Sequence, residues 1–219
     1  TAFERALNVS CNVSFGDLAG KIGQEKLAEQ AAKFGFGSAP LTQLPSSASR
    51  FAPETKALER TELALSGIGQ FEVAATPLQM AMVTAAVAND GNVLKPYVVK
   101  TVRSPNLSVL DQGKPERISQ AMSASNAAKL RQMLVSTVDR GTATSARIAG
   151  VEVGGKTGTA QSTPDRPPYA WFVAFAPAND PKVAVAVLVE SSDTGRDEIS
   201  GGRLAGPIAR AVIEAVLGK

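Results

Sequence analysis

Histidine is absent from all 219 residues of the sequence, and that absence excludes more chemistry than any residue present. No imidazole in this chain can act as base for a serine or cysteine nucleophile, or bind zinc. A hydroxyl working here must exchange its proton with a lysine or a carboxylate. The single cysteine, Cys11, excludes an intrachain disulfide and a thiolate metal cage, and filling a small buried turn position is the simplest role for it. Aromatic residues make up 5% and the basic residues are scattered, so the basic face with interleaved aromatics that marks nucleic-acid binding is missing. No apolar run reaches the roughly 18 residues needed to span a bilayer. The opening Thr-Ala-Phe-Glu-Arg-Ala-Leu lacks the basic and apolar regions of a leader, which says little if the chain is a piece of something longer.

What is present reads as an ordinary globular chain: 44% hydrophobic, 20% charged, net charge +3. Residues 1–36 predict a helix–loop–helix unit. Phe3 and Leu7 lie on the first helix, a polar turn covers 8–14, and the second helix carries Leu18, Ile22, Leu27 and Ala31. Phe34-Gly35-Phe36-Gly37 ends it with a glycine cap. Residues 38–62, rich in Pro, Ser and Ala, predict an irregular surface segment. Thr76-Pro77-Leu78-Gln79 is a helix start with N-cap, first-turn proline and capping-box spacing. That helix should run through Met80, Met82, Val83 and Val87 and stop at Asn89-Asp90-Gly91. A short strand is expected over 96–102. A helix is expected over 125–138, with Leu130, Met133, Leu134 and Val138 on one face, before Gly141.

The last third reads as strands over 151–160, 170–176 and 182–190. The short Asp180-Pro181 connection makes the last two an antiparallel pair. Gly206-Pro207 then opens a helix through Ile208, Val212, Ile213 and Val216. The expected class is a mixed α/β fold: an antiparallel sheet flanked by helices.

Two short stretches carry chemistry. In Lys156-Thr157-Gly158-Thr159, with Gly154 and Gly155 ahead of it, three glycines weaken a strand and leave room for a peptide to add along its edge. Lys156 and the Thr157 and Thr159 hydroxyls would offer donors to an anion such as a carboxylate. On these residues alone, a solvated lysine at a glycine-rich strand end is the simpler reading. Likewise Ser10-Cys11-Asn12 is first a turn, because Ser and Asn side chains bond nearby backbone. Paired with Lys156, a hydroxyl and an amide could pass a proton and orient a substrate amide without imidazole.

Together, Ser10-Cys11-Asn12 and Lys156-Thr157-Gly158 resemble two of the three motifs of the penicillin-binding proteins and serine β-lactamases. Further segments resemble the class B, high-molecular-weight penicillin-binding proteins, in order and over nearly the whole chain. They are Ser10-Cys11-Asn12-Val13-Ser14-Phe15-Gly16, Gly67-Ile68-Gly69-Gln70, Ala75-Thr76-Pro77-Leu78-Gln79-Met80-Ala81 and Ala88-Asn89-Asp90-Gly91. Gly155-Lys156-Thr157-Gly158-Thr159-Ala160-Gln161 and Ala170-Trp171-Phe172-Val173-Ala174-Phe175-Ala176-Pro177 complete the set.

The resemblance implies peptidoglycan D,D-transpeptidation by serine acyl transfer, covalent inhibition by β-lactams and no cofactor. Lys156, Thr157 and Gly158 would receive the carboxylate end of a D-Ala-D-Ala stem peptide or a β-lactam. The Thr159 amide would form half of an oxyanion hole, whose donors are typically worth ~10²–10³ in rate. Ser10, helped by Lys156, would relay a proton to the leaving amine, and Asn12 would hold the peptide carbonyl and neighbouring lysine side chains. Trp171 and Phe172 would serve packing. The parent would be anchored at the extracytoplasmic face of the plasma membrane, with cell-wall synthesis or division proteins as partners.

The third motif, Ser-x-x-Lys, is missing: no serine has a lysine three residues on. The nearest imitation, Ser47-Ala48-Ser49-Arg50, ends in an arginine that cannot serve as a base. The resemblance therefore reads residues 1–219 as the C-terminal portion of a single transpeptidase domain, an incomplete penicillin-binding protein fold. The nucleophile-bearing N-terminal portion, the first sheet strands and the anchor would lie upstream. Alone, the chain is expected not to acylate and, with a sheet edge exposed, to be poorly stable. A β-lactam sensor or inactive homologue is the alternative. A D,D-carboxypeptidase or β-lactamase is another, although no loop with a deacylating base is evident.

Overall fold

The computed structural model describes residues 2–41, 43–52, 56–161, 163, 165–190 and 195–219. Three short helices open the chain: α1 (Ala2–Asn8), α2 (Asn12–Ile22) and α3 (Gln24–Lys33). The hydrophobic pattern over 18–31 suggests one helix, but Gly23 at φ 88 splits it, a backbone state that glycine reaches without a Cβ penalty. The polar turn is shorter than 8–14. Only Val9, Ser10 and Cys11 separate α1 from α2, and Asn12 already belongs to α2. Gly35, at φ 96 just beyond α3, is the expected glycine stop.

The segment expected to be irregular ends in a helix, α4 (Arg60–Ser66), begun by a reciprocal capping box between Glu59 and Glu62. Positions 42 and 53–55 of that segment lie outside the described residues. Helix α5 (Pro77–Ala88) starts as its sequence requires: Thr76 Oγ1 accepts the Gln79 N–H at 3.1 Å. The other half of the expected box does not form. Gln79 is fully buried and donates Nε2–H to the Phe34 carbonyl at 2.8 Å, while the Thr76 N–H goes to Ser49 Oγ at 3.0 Å. Pairing the buried Gln79 Nε2–H across the fold outweighs a local cap.

Strands β1 (Asn92–Leu94), β2 (Thr101–Arg103), β3 (Val109–Gln112) and β4 (Arg117–Gln120) follow, paired antiparallel as β1–β4 and β2–β3. The strand expected over 96–102 is thus confined to its end. Helix α6 (Ala124–Arg140) is capped by Ser123 Oγ, which accepts the Asn126 N–H, and stops at Gly141.

The principal sheet has the order β5 (Gly154–Ala160), β6 (Tyr169–Ala176), β7 (Val183–Val189), antiparallel throughout. After a π-helical turn (Gly201–Ala205), helix α7 (Gly206–Leu217) closes the chain. Helix α6 packs on β5, and α5 and α7 pack on β6 and β7. The core joins Phe172, Ala174 and Ala176 of β6 to Val138 of α6 and to Ala209 and Ile213 of α7. This is the expected class, an antiparallel sheet flanked by helices, with β5 at one edge.

Two of the β5 glycines have a different purpose from the one their sequence suggests. A Cβ on Gly154 would run into the Phe175 ring, and one on Gly155 would lie 3.0 Å from the Val173 carbonyl and 3.2 Å from the Phe172 ring. They make room for the neighbouring strand's aromatics, not for a ligand. Gly154→Ala should therefore destabilise by about 1–3 kcal/mol through overpacking, read as a lower urea midpoint. Gly20→Ala on α2, where a Cβ meets nothing within 4 Å, should instead gain up to about 1 kcal/mol from helix propensity. Equal effects at the two sites would contradict this packing role.

Candidate active site

The turn between α1 and α2 is so tight that Ser10 takes φ 53, a left-handed state costing a non-glycine residue on the order of 1 kcal/mol. Hydrogen bonds on either side hold it there: Ser10 N–H to Leu7 O at 3.1 Å and Cys11 N–H to Ala6 O at 2.9 Å. This conformation brings the Ser10 hydroxyl to β5. Lys156 Nζ donates to Ser10 Oγ at 2.8 Å, across 146 residues of sequence, and to the Thr157 carbonyl at 2.8 Å. Partial burial of this amine lowers its pKa from 10.5 to about 8, because desolvation disfavours the charged form. Lys156 is thus a half-buried, hydrogen-bonded amine and not a fully solvated strand-end cation.

Every residue singled out from sequence lines one open cleft of about 700 Å³: Ser10, Asn12, Lys156, Thr157, Gly158 and Thr159. Asn12 stands exposed at the start of α2. Thr159 is exposed on the edge strand, and its carbonyl accepts Gln70 Nε2–H at 3.3 Å from the far wall. Because a strand residue directs its N–H and C=O to the same side, the Thr159 amide also faces the open edge. Gly158 pairs with Trp171, whose Cβ would lie 3.1 Å from a Cβ at position 158. A larger residue there would press on Trp171 as well as on any ligand, so Gly158→Val would not leave the strand undisturbed. Of the two aromatics, Phe172 is in the core and Trp171 is half-buried. Cys11 is half-exposed at the N-cap of α2, not buried; its thiol accepts from Ser14 Oγ at 3.2 Å, which lowers its pKa.

Sequence reasoning assigned no site role to several other cleft residues, among them Gln70, Thr142, Gly201 and Gly202. Gln70 was legible only as part of Gly67-Ile68-Gly69-Gln70. Thr142, next to the Gly141 helix stop, places Oγ1 2.8 Å from Thr157 Oγ1. Gly201 and Gly202 form the π-turn laid against β5. A Cβ on Gly201 would collide with the Trp171 carbonyl and the Gly158 backbone, and adjacent glycines before a helix are a sign of such close approach. Among the described residues no group of acidic, cysteine or histidine side chains could hold a metal, and no helix is long and apolar enough to cross a membrane.

An edge strand offering a lysine, a threonine and an outward amide, faced by a serine on a helix turn, defines a class of site. The chain belongs to the penicillin-binding protein transpeptidase family: residues 1–214 match its "Penicillin binding protein transpeptidase domain". It is 41% identical to the peptidoglycan D,D-transpeptidase PbpA of Mycolicibacterium smegmatis, over 99% of this chain and 44% of that protein. It is 32% identical to stage V sporulation protein D of Bacillus subtilis, over 91% of this chain and 31% of that one. Among solved structures, the ceftriaxone acyl-enzyme complex of penicillin-binding protein A from M. tuberculosis superposes with TM-score 0.90 at 38% identity, covering 98% of this chain and 48% of that one. The chain thus spans less than half the length of these relatives.

The buried amine has a measurable consequence. An unfolded lysine keeps its proton up to about 10.5, whereas Lys156 releases its own near 8. Between those values the unfolded chain binds more protons, so stability rises with pH. The urea midpoint, followed from about pH 7.5 to about pH 10, should climb more steeply than that of Lys156→Met. Parallel profiles would mean that the amine is solvated.

Proposed function

We propose that residues 1–219 form the C-terminal portion of a single peptidoglycan D,D-transpeptidase domain, supplying its carboxylate-binding strand and proton relay. The observation that carries this reading is the 2.8 Å contact between Lys156 and Ser10 on the wall of a cleft open along β5. The nucleophile and its base, in a Ser-x-x-Lys motif, lie upstream in the same protein. The outer side of β7, whose seven half-buried residues pair with β6 on the inner side and with no second strand among the described residues, is where upstream strands would complete the sheet. Relatives named as D,D-transpeptidases and the acyl-enzyme complexes of penicillin-binding protein A support the assignment.

The chemistry follows from the groups in place. A D-Ala-D-Ala stem peptide lies along β5, its terminal carboxylate received by Lys156 and the Thr157 hydroxyl beside the bare Gly158. Asn12 holds a peptide carbonyl from the opposite wall and steadies neighbouring lysine side chains. The upstream serine oxygen attacks the penultimate carbonyl carbon as its proton passes to the lysine of the same upstream motif, and the Thr159 N–H stabilises the oxyanion that forms. The C–N bond breaks as the departing D-alanine amine takes a proton from Ser10, which Lys156 restores. The acyl group then passes to the amine of a second stem peptide. A β-lactam enters by the same first step, but its ring-opened amine stays attached. A lysine with a pKa near 8 suits this relay, since proton transfer is most effective when donor and operating pH are close. The complete protein works at the extracytoplasmic face of the plasma membrane, anchored outside this chain, with cell-wall synthesis or division proteins as partners.

Intact-mass analysis after exposure to a penicillin tests the split site. The complete protein should gain one β-lactam mass and the 219-residue chain none. Labelling of the chain alone would place the nucleophile within it, and labelling of neither would favour an inactive homologue. In the complete protein, Lys156→Ala should slow acylation by about 10²-fold or more, the scale of a lost charge-assisted donor; an unchanged rate would remove Lys156 from the site.

A further inference from the structure

Thr142 belongs to none of the sequence motifs, and its side chain is exposed, yet its position is fixed by the backbone. Its N–H donates to the Asn8 carbonyl at 3.0 Å. Asn8 is itself locked in a buried network: Oδ1 accepts from Thr137 Oγ1 at 2.9 Å, and Nδ2 donates to Ser136 Oγ at 2.8 Å. Gly202 lies against the same spot, where a Cβ would sit 3.0 Å from the Thr142 carbonyl and 3.5 Å from Thr157 Cγ2. So held, Thr142 Oγ1 stands 2.8 Å from Thr157 Oγ1 and lines the same cleft.

A hydroxyl has one proton to give, and a carboxylate only accepts. If Thr157 spends its proton on Thr142, it has none for a carboxylate; if Thr142 is the donor, the Thr157 proton is free to point into the cleft. We propose that Thr142 is a positioning residue for carboxylate recognition, donating to Thr157 Oγ1 and so directing the single Thr157 proton toward the substrate carboxylate. The inference rests on the reading of Thr157 as a carboxylate donor. The two hydroxyls form a chain of one direction when the site is loaded, and each bond in such a chain strengthens the next.

The test uses the complete protein and two probes, benzylpenicillin and its methyl ester, which lacks the anionic carboxylate. Thr142→Val keeps the shape and backbone bond but removes the donor. It should lower the second-order acylation rate with benzylpenicillin by about tenfold, the scale of one hydrogen bond, while the ester rate and the melting temperature stay unchanged. Thr142→Ser should restore the benzylpenicillin rate. An equal loss on both probes would mean a merely structural role and would overturn the proposal, as would no loss on either. Thr157→Val separates the two readings. If it too leaves the ratio of the two rates intact, the carboxylate role of Thr157 falls and this inference with it. If Thr157→Val collapses that ratio and Thr142→Val does not, only the inference about Thr142 fails.

Discussion

A half-buried lysine amine held 2.8 Å from a serine hydroxyl is the constraint to which the other features answer. Burying a full ammonium away from water is expensive unless it is paired or can give up its proton. Here the pKa near 8 leaves both forms within reach at neutral pH. The cation can attract an anionic substrate group, and the neutral amine can take a proton from its partner.

Maintaining that contact requires two distant parts of the chain to stay in register. They are joined twice: at Ser10 and Lys156, and through Asn8, Thr142 and Thr157. The second link is reinforced behind the site, where Ser136 donates to Glu4 and accepts from Asn8 and Arg140. The Ser136 bond is the largest reason the Glu4 carboxyl titrates below its usual range. Gly141 completes the joint, since a Cβ there would press on the Asn8 carbonyl and on Thr137. Ser10 and β5 are therefore set against each other by a polar joint with α6.

Much of this was legible in the sequence because the relevant physics is local. Thr76-Pro77 marks a helix start whatever lies elsewhere, and short continuous apolar runs bounded by turn residues mark β6 and β7. The clustering of Ser10, Asn12, Lys156 and Thr159 was also legible, through the resemblance and not through spacing. What escaped depends on meetings between distant segments. Periodicity passes straight through Gly23, so one helix was read where there are two. Gln79 was expected to cap its own helix because the Phe34 carbonyl, 45 residues earlier, has no trace in the local pattern. Gly154 and Gly155 invite a ligand until Phe175 and Phe172 are placed beside them. Thr142 and Gln70 gain meaning only from partners 15 and 89 residues away.

Ser10 also sets stability and activity against each other at a single position. Its left-handed backbone, at φ 53, is one that glycine would occupy without strain. A chain selected only to stay folded would gain from losing the side chain there. The serine carries a backbone strain that glycine would not, and the hydroxyl it presents to Lys156 is what the protein obtains by keeping a strained residue.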